Sequence, residues 1–251
     1  MNKKKTFIGI FSFIVILFLF GCGLEDYPRL YPIPQSNVST SFASKAIVRI
    51  PNENTPPPFS HFVIFYRVYR TAAPNESPGP ANFNEINSVL NTDYNAVRPM
   101  IDSDTIVNTN MDTFFSGRGY KYLQISGANI DSVLSASVLG KTLEFDFPGN
   151  ISNGLPTMKI DSTEYTLLRS NGNGTFTPRP ADRLFVNESD LRAAEYLNDQ
   201  FNADVERSNT TDTFPYTYAA MFIAAVGINP SSYSYIYSTP TLIHVFELTG
   251  P

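Results

Sequence analysis

The chain holds one cysteine, no tryptophan and two histidines in 251 residues. A single thiol excludes an internal disulfide framework. Neither His61 nor His244 has a histidine, cysteine or acid beside it at metal-ligand spacing, so the sequence offers no zinc site with a full ligand count. There is no Gly-x-Ser-x-Gly elbow and no phosphate-cradling glycine-rich loop, which removes the usual signatures of acyl and phosphoryl transfer. Charged residues are scarce at 16%, well under the usual quarter or so. The net charge of -5 argues against nucleic acid as a partner.

What remains is apolar and aromatic. Hydrophobic residues make up 42%, enough for a sizeable core and too many for a wholly disordered chain. Tyr 14, Phe 20 and Pro 19 point to an aromatic-rich, turn-rich β protein. The length suits one large domain or two small ones.

The first 21 residues read as an export signal. Lys3, Lys4 and Lys5 form a positive n-region, and Phe7 to Phe20 is apolar apart from Gly9 and Ser12. At about 14 residues this run has the length of a signal h-region and falls short of a membrane span. The sole cysteine follows at once, in Leu19-Phe20-Gly21-Cys22. This resembles the lipobox of bacterial lipoproteins, with Phe20 giving the relaxed box familiar in spirochaetes. The resemblance implies cleavage before Cys22, a lipid on its sulfur, palmitate-type acylation, and a body held at a membrane outside the cytoplasm, the outer membrane being expected. Removing residues 1–21 removes three lysines and no acid, taking the net charge from -5 to -8. Residues 22–43 carry Tyr27-Pro28, Tyr31-Pro32 and Ile33-Pro34. Proline disfavours helix in the residue before it, so this stretch is expected as an extended tether.

The body reads as mainly β. Ala46 to Ile50 is a short strand, and His61 to Thr71 is the strongest strand in the chain. Phe62, Ile64, Tyr66 and Val68 fall on one face of it, and Val63, Phe65, Arg67 and Tyr69 on the other. Both faces are largely apolar, which predicts a central strand with something covering its second face. Tyr216 to Val226 alternates again, Gly227 to Ser234 is a turn, and Leu242 to Leu248 is the last strand.

Tyr218-x-Ala220-x-Phe222-x-Ala224 followed by Gly227 is similar to the sixth strand of a fibronectin type III domain, and Ser238-x-Pro240 with the run after it to the seventh. Phe62 to Tyr69 resembles the third strand and Ala46 to Ile50 the second. The resemblance implies an immunoglobulin-like β-sandwich with Tyr218 as a tyrosine corner. Such a domain needs about 100 residues, yet Ala72 to Pro215 alone spans 144. The expectation is therefore one discontinuous sandwich, residues 44–71 and 216–251, split by a large α+β insertion over 72–215.

Within the insertion, Asn82 or Asn84 can cap a helix through Leu90. Thr113-Phe114-Phe115, Tyr120 to Ile125, Leu143 to Phe147, Met158 to Ile160 and Tyr165 to Arg169 read as strands. Asn171 to Gly174 is a hairpin turn signal, and Ser189 caps a helix from Asp190 to Phe201.

Little of this carries chemistry. Asp102 to Asp112 is oxygen-rich but lacks the glycine and the final acid of a calcium loop, so it reads as solvated turns. Glu144 and Asp146 share one strand face. A carboxylate pair could serve a glycosidase; the plainer reading is the polar face of an edge strand. The aromatic excess has a binding flavour, with Phe114, Phe115, Tyr233, Tyr235 and Tyr237 near loops, because tyrosine supplies contact area at low entropy cost. The expectation is a non-enzymatic lipoprotein for interaction, adhesion or envelope structure. It has no cofactor, and its partners are the membrane through Cys22 and a protein or glycan. The alternatives are a lipoprotein enzyme acting on glycan or peptidoglycan through carboxylates of the insertion, and a solute-binding lipoprotein.

Overall fold

The computed structural model describes residues 29–41, 44–71, 92–93, 95–98, 111–147, 155–169, 205–207 and 216–247. In chain order the strands are β1 (Val38–Ser41), β2 (Lys45–Arg49), β3 (Phe59–Thr71), β4 (Lys121–Tyr122), β5 (Gln124–Ile125), β6 (Thr142–Asp146), β7 (Thr157–Ile160), β8 (Thr163–Leu168), β9 (Val205–Arg207), β10 (Tyr216–Ile228), β11 (Tyr235–Tyr237) and β12 (Thr241–Glu247). Among the described residues, short helices α1 (Met111–Ser116) and α2 (Ile130–Val133) lie between strands, and residues 92–93 and 95–98 are helical.

The two longest strands, β3 and β10, pair antiparallel over their full lengths, from Tyr216 opposite Thr71 to Gly227 opposite Phe59. Residues far apart in the chain therefore lie side by side. β4 pairs with the other edge of β3, β9 runs parallel to its far end, and β11 and β12 share the remaining edge of β10. The second sheet has the order β1-β2-β6-β7-β8-β5. Apart from β3 with β9, every pairing among the described residues is antiparallel.

The two sheets face one another across a shared core, as in a β-sandwich. Phe62, Ile64 and Tyr66 of β3 and Ala219, Met221, Ile223 and Ala225 of β10 meet Ala46 and Val48 of β2, Leu143 and Phe145 of β6, and Met158 of β7. Phe246 of β12 stacks on Phe147 at 4.0 Å between ring centroids. On β2 and β6 the alternation is strict, with every second residue buried, the pattern of a sheet wet on one side.

The second face of β3 and β10 is covered as well. Val63, Phe65, Tyr218, Ala220, Phe222, Ala224 and Val226 pack with Val97, Met111, Phe115 and Tyr120 in a separate cluster. Phe115 stacks on Phe65 at 4.3 Å and meets Tyr120 edge-on at 5.1 Å. The cover contains a buried charge pair. Arg67, whose partner in register is Ala220, donates to the Asp93 carboxylate at 2.6 Å, and the Arg118 guanidinium stands 4.0 Å from the same carboxylate. Gly119, at a φ of +78°, lies where a Cβ would come 3.1 Å from Arg67 Nε, so this turn leaves room for the guanidinium.

Several expectations are corrected here. Thr113-Phe114-Phe115 belongs to α1, not a strand. Met111 and Phe115 stand four apart and are both buried, which is helical spacing, and the Arg118 guanidinium lies 3.7 Å from the Phe114 ring centroid one turn on. Tyr120 to Ile125 is not one strand: β4 joins β3, β5 joins β8, and Leu123 crosses between the sheets. Residues 29–41 do not run free as a tether. Leu30 and Ile33 are buried in the inter-sheet core, and β1 lies along β2. The described strands of 72–215 form no body of their own; β4 to β8 extend the two sheets. The signal segment, Cys22, the helices expected at 83–90 and 190–201, the oxygen-rich loop 102–110 and the turn at 171–174 lie outside the described residues.

Candidate interaction surface

The hairpin between β10 and β11 is a built structure with no charged residue. None falls between Asp212 and His244 in the sequence. At its tip Tyr233 N donates to Asn229 O at 2.8 Å, and Asn229 N to Ser234 O at 2.9 Å. The Asn229 side-chain oxygen accepts from Ser231 N at 2.9 Å and Ser232 N at 3.4 Å, closing an Asx turn. The Ser232 and Ser234 hydroxyls lie 2.7 Å apart. Where β11 gives way to β12, the Ser238 hydroxyl accepts from Ala225 N at 2.9 Å and donates to Thr239 O at 3.0 Å. The ladder group of β10 left between the two partner strands is thereby satisfied.

This frame holds aromatic rings in water. Tyr233 is 86% exposed and Tyr235 66% exposed. Tyr233 has a φ of +55°, a left-handed conformation uncommon for a bulky residue. Tyr235 stands opposite Ile228, which is 43% exposed, and Tyr237 opposite Val226. Tyr237 is half-buried against the second cluster.

Beside it, Tyr122 of β4 lies 5.1 Å from the Phe65 ring. Burial pushes its phenol far above the ordinary tyrosine range, and its hydrogen bond to the Asp112 carboxylate and the neighbouring Tyr237 act in the same direction. The Tyr237 phenol is raised too, by burial first and then by the Asp112 charge. Asp112, Tyr122 and Tyr237 thus form a polar seam between α1 and the sheet, with both phenols neutral.

The five aromatics singled out from the sequence separate into two groups. Tyr233, Tyr235 and Tyr237 belong to one hairpin. Phe115 is fully buried in the second cluster and Phe114 is half-buried under the Arg118 guanidinium, so these two hold α1 to the sheet. Tyr218 is buried, but on the face turned away from the second sheet. A corner tyrosine shares the face of the inter-sheet residue two positions on; here Ala220 belongs to the outer cluster.

The carboxylates of β6 lie on the wet face of their sheet. Asp146 pairs with Lys45 at 2.7 Å, and Glu144 stands opposite Lys159 in register. His61 Nε2 is 3.7 Å from the Asp131 carboxylate, while His244 is buried edge-on against Phe246. Among the described residues, no three His, Cys, Asp or Glu side chains gather to hold a metal ion. No helix among them is long and apolar enough to cross a membrane. Sequence reading missed the Arg67–Asp93 pair, since nothing in the chain signals that residues 26 apart will meet, and it missed the exposure of Tyr122 and Ile228.

No protein-family model matches this chain, and neither a curated protein nor a solved structure matches it.

Proposed function

We propose that this chain is a non-enzymatic lipoprotein of a bacterial cell envelope, acylated on Cys22 after removal of residues 1–21, with its β body outside the cytoplasm and the outer membrane as its site. Its role is interaction through exposed tyrosines. The observation that carries the reading is the uncharged hairpin that holds Tyr233 and Tyr235 in solvent on a hydrogen-bonded frame, in a chain whose one cysteine directly follows an apolar signal-length run. Tyrosine surfaces give large contact area at low ordering cost.

The immunoglobulin-like type is part of the same proposal. Its support is the pairing, with β1-β2-β6 in one sheet and β4-β3-β10-β12 in the other, which parallels a sandwich whose third and sixth strands lie side by side.

The test is the bacterial fate of Cys22→Ser. The wild-type chain should take up labelled palmitate and partition into detergent, and the variant should do neither. A variant that keeps residues 1–21 and still enters the detergent phase would show a plain apolar anchor and overturn the lipoprotein reading.

A further inference from the structure

Among the described residues, four of the seven exposed large hydrophobics, Tyr31, Ile228, Tyr233 and Tyr235, lie at one end of the sandwich, the end where the described chain begins. Leu30 is buried there beside Gly227. A Cβ at Gly227 would come 3.3 Å from Leu30 Cδ1 and collide with the Pro58 carbonyl oxygen. Ile228 N donates to that same Pro58 oxygen at 3.0 Å. The next residue after Leu30 is clamped too, since the Asn54 side chain bonds both Tyr31 N and Tyr31 O at 2.8 Å.

Because Leu30 is fixed in the core, the link from Cys22 to the fold is residues 22–28, whatever path they take. Covalent geometry limits seven residues to about 25 Å, against about 75 Å for the expected tether of 22–43. β10 runs from the far end of the sandwich to this one and is itself about 40 Å long. A link of that reach cannot stand the body inverted, with its far end on the membrane that holds Cys22. It can hold the tyrosine tip there.

We infer that the tip formed by Ile228, Tyr233 and Tyr235, with Tyr31 beside it, rests in the phospholipid headgroup region of the membrane that anchors Cys22. The inference rests on the acylation proposed above and names the partner of that same tyrosine surface. The chemistry fits this occupant. Tyrosine places an apolar ring and a polar hydroxyl at the depth where bilayers change from one to the other. The hairpin carries no charge to desolvate. The lipid and the tip are then two membrane contacts, the number needed for stable attachment in a fixed orientation.

The absence of tryptophan makes the test direct. Tyr233→Trp places a lone indole at a water-exposed site, and the full acylated chain is reconstituted in phosphatidylcholine vesicles with and without brominated acyl chains. Leu155→Trp is the reference, because Leu155 is exposed two residues before Thr157, whose partner Asp146 lies at the far end with Lys45. The Tyr233→Trp emission should shift to the blue and fall roughly twofold on brominated lipid, as for a side chain at the interface, while Leu155→Trp keeps the emission of an indole in water. Vesicle-bound protein in which Tyr233→Trp answers only to aqueous iodide would overturn the tip contact and leave the anchor standing. Equal quenching of both variants would overturn the orientation. Failure of the wild-type chain to float with vesicles would remove the anchor, and the tip contact with it.

Discussion

The two faces of the β3–β10 pair are both buried, but they are buried by different means. On the inner face, aliphatic and aromatic residues of two sheets meet: Ile64, Met221 and Ile223 against Val48, Leu143 and Met158. The outer face is covered differently. A six-residue helix, the turn after it and residues around Val97 lie over the sheet, and polar groups sit among the rings. Arg67 meets Asp93 under this cover, and Tyr122 meets Asp112 at its rim. A two-sheet core needs only matched area, since apolar burial is non-directional. A helix this short is marginal by itself, so its seat depends on directional contacts made with the sheet. The inner face thus follows from pattern, and the outer face from particular partners.

Removing a large ring from each face is the strongest way to challenge that contrast. Phe62→Ala on the inner face should cost about 3–5 kcal/mol, read as a lowered urea midpoint with an unchanged slope. Phe115→Ala should cost a similar amount if the outer layer unfolds with the sandwich. A loss below about 1 kcal/mol with a reduced slope would instead mark the outer layer as separable.

The buried charges sharpen the comparison. Asp93→Asn leaves the Arg67 guanidinium buried without its carboxylate and should destabilise by about 3 kcal/mol. The double variant Arg67→Met, Asp93→Leu should recover most of that loss, because an apolar replacement removes both desolvation costs. If the single and double variants are equally unstable, the pair does not govern how the cover is seated.

Tyr218 tests a single hydroxyl on the same outer face. A buried phenol requires a partner, so Tyr218→Phe should cost about 1 kcal/mol by thermal or urea unfolding. An unshifted midpoint would show that the ring alone matters there.

The smallest effect is one of pH. The folded pKa of Tyr122 is raised above its unfolded value, so its contribution to stability is complete below about pH 10, the ordinary tyrosine value, and is lost as the pH rises beyond it. Tyr237 is raised as well and adds in the same direction. Unfolding followed from pH 9 to 11 should therefore show wild type losing more stability than Tyr122→Phe. Parallel pH curves for the two would remove the phenol from the account of this rim.

Much of the β framework was legible because alternation reports burial directly. The apolar character of both faces of Phe62 to Tyr66 announced a strand covered on two sides, and Val97, Met111, Phe115 and Tyr120 cover the face that carries Val63 and Phe65. Turn chemistry placed the end of the strand from Tyr216 at Val226, while β10 runs on to Ile228 to pair with β11, a strand that was not expected. The errors have an equally plain origin. Phe114 and Phe115 are adjacent in sequence, and two rings in three residues fit a strand or a helix turn; the buried four-residue spacing of Met111 and Phe115 decides it only once the sheet is present. Proline marked Tyr27 to Pro34 as extended, which says nothing of whether an extended segment is free or packed. Leu30 and Ile33 are packed.

The sequence by itself determined the mainly β class, the location of the long strands, the tyrosine cluster at 233–237 and the position of the one cysteine, because each is a matter of residue type and local period. Tertiary structure alone decided that β2 pairs with β6 across a long loop, that Arg67 finds Asp93, and that Leu30 ends beside Gly227. Those choices depend on which distant surfaces exclude water together, a sum over the whole chain that no local window contains.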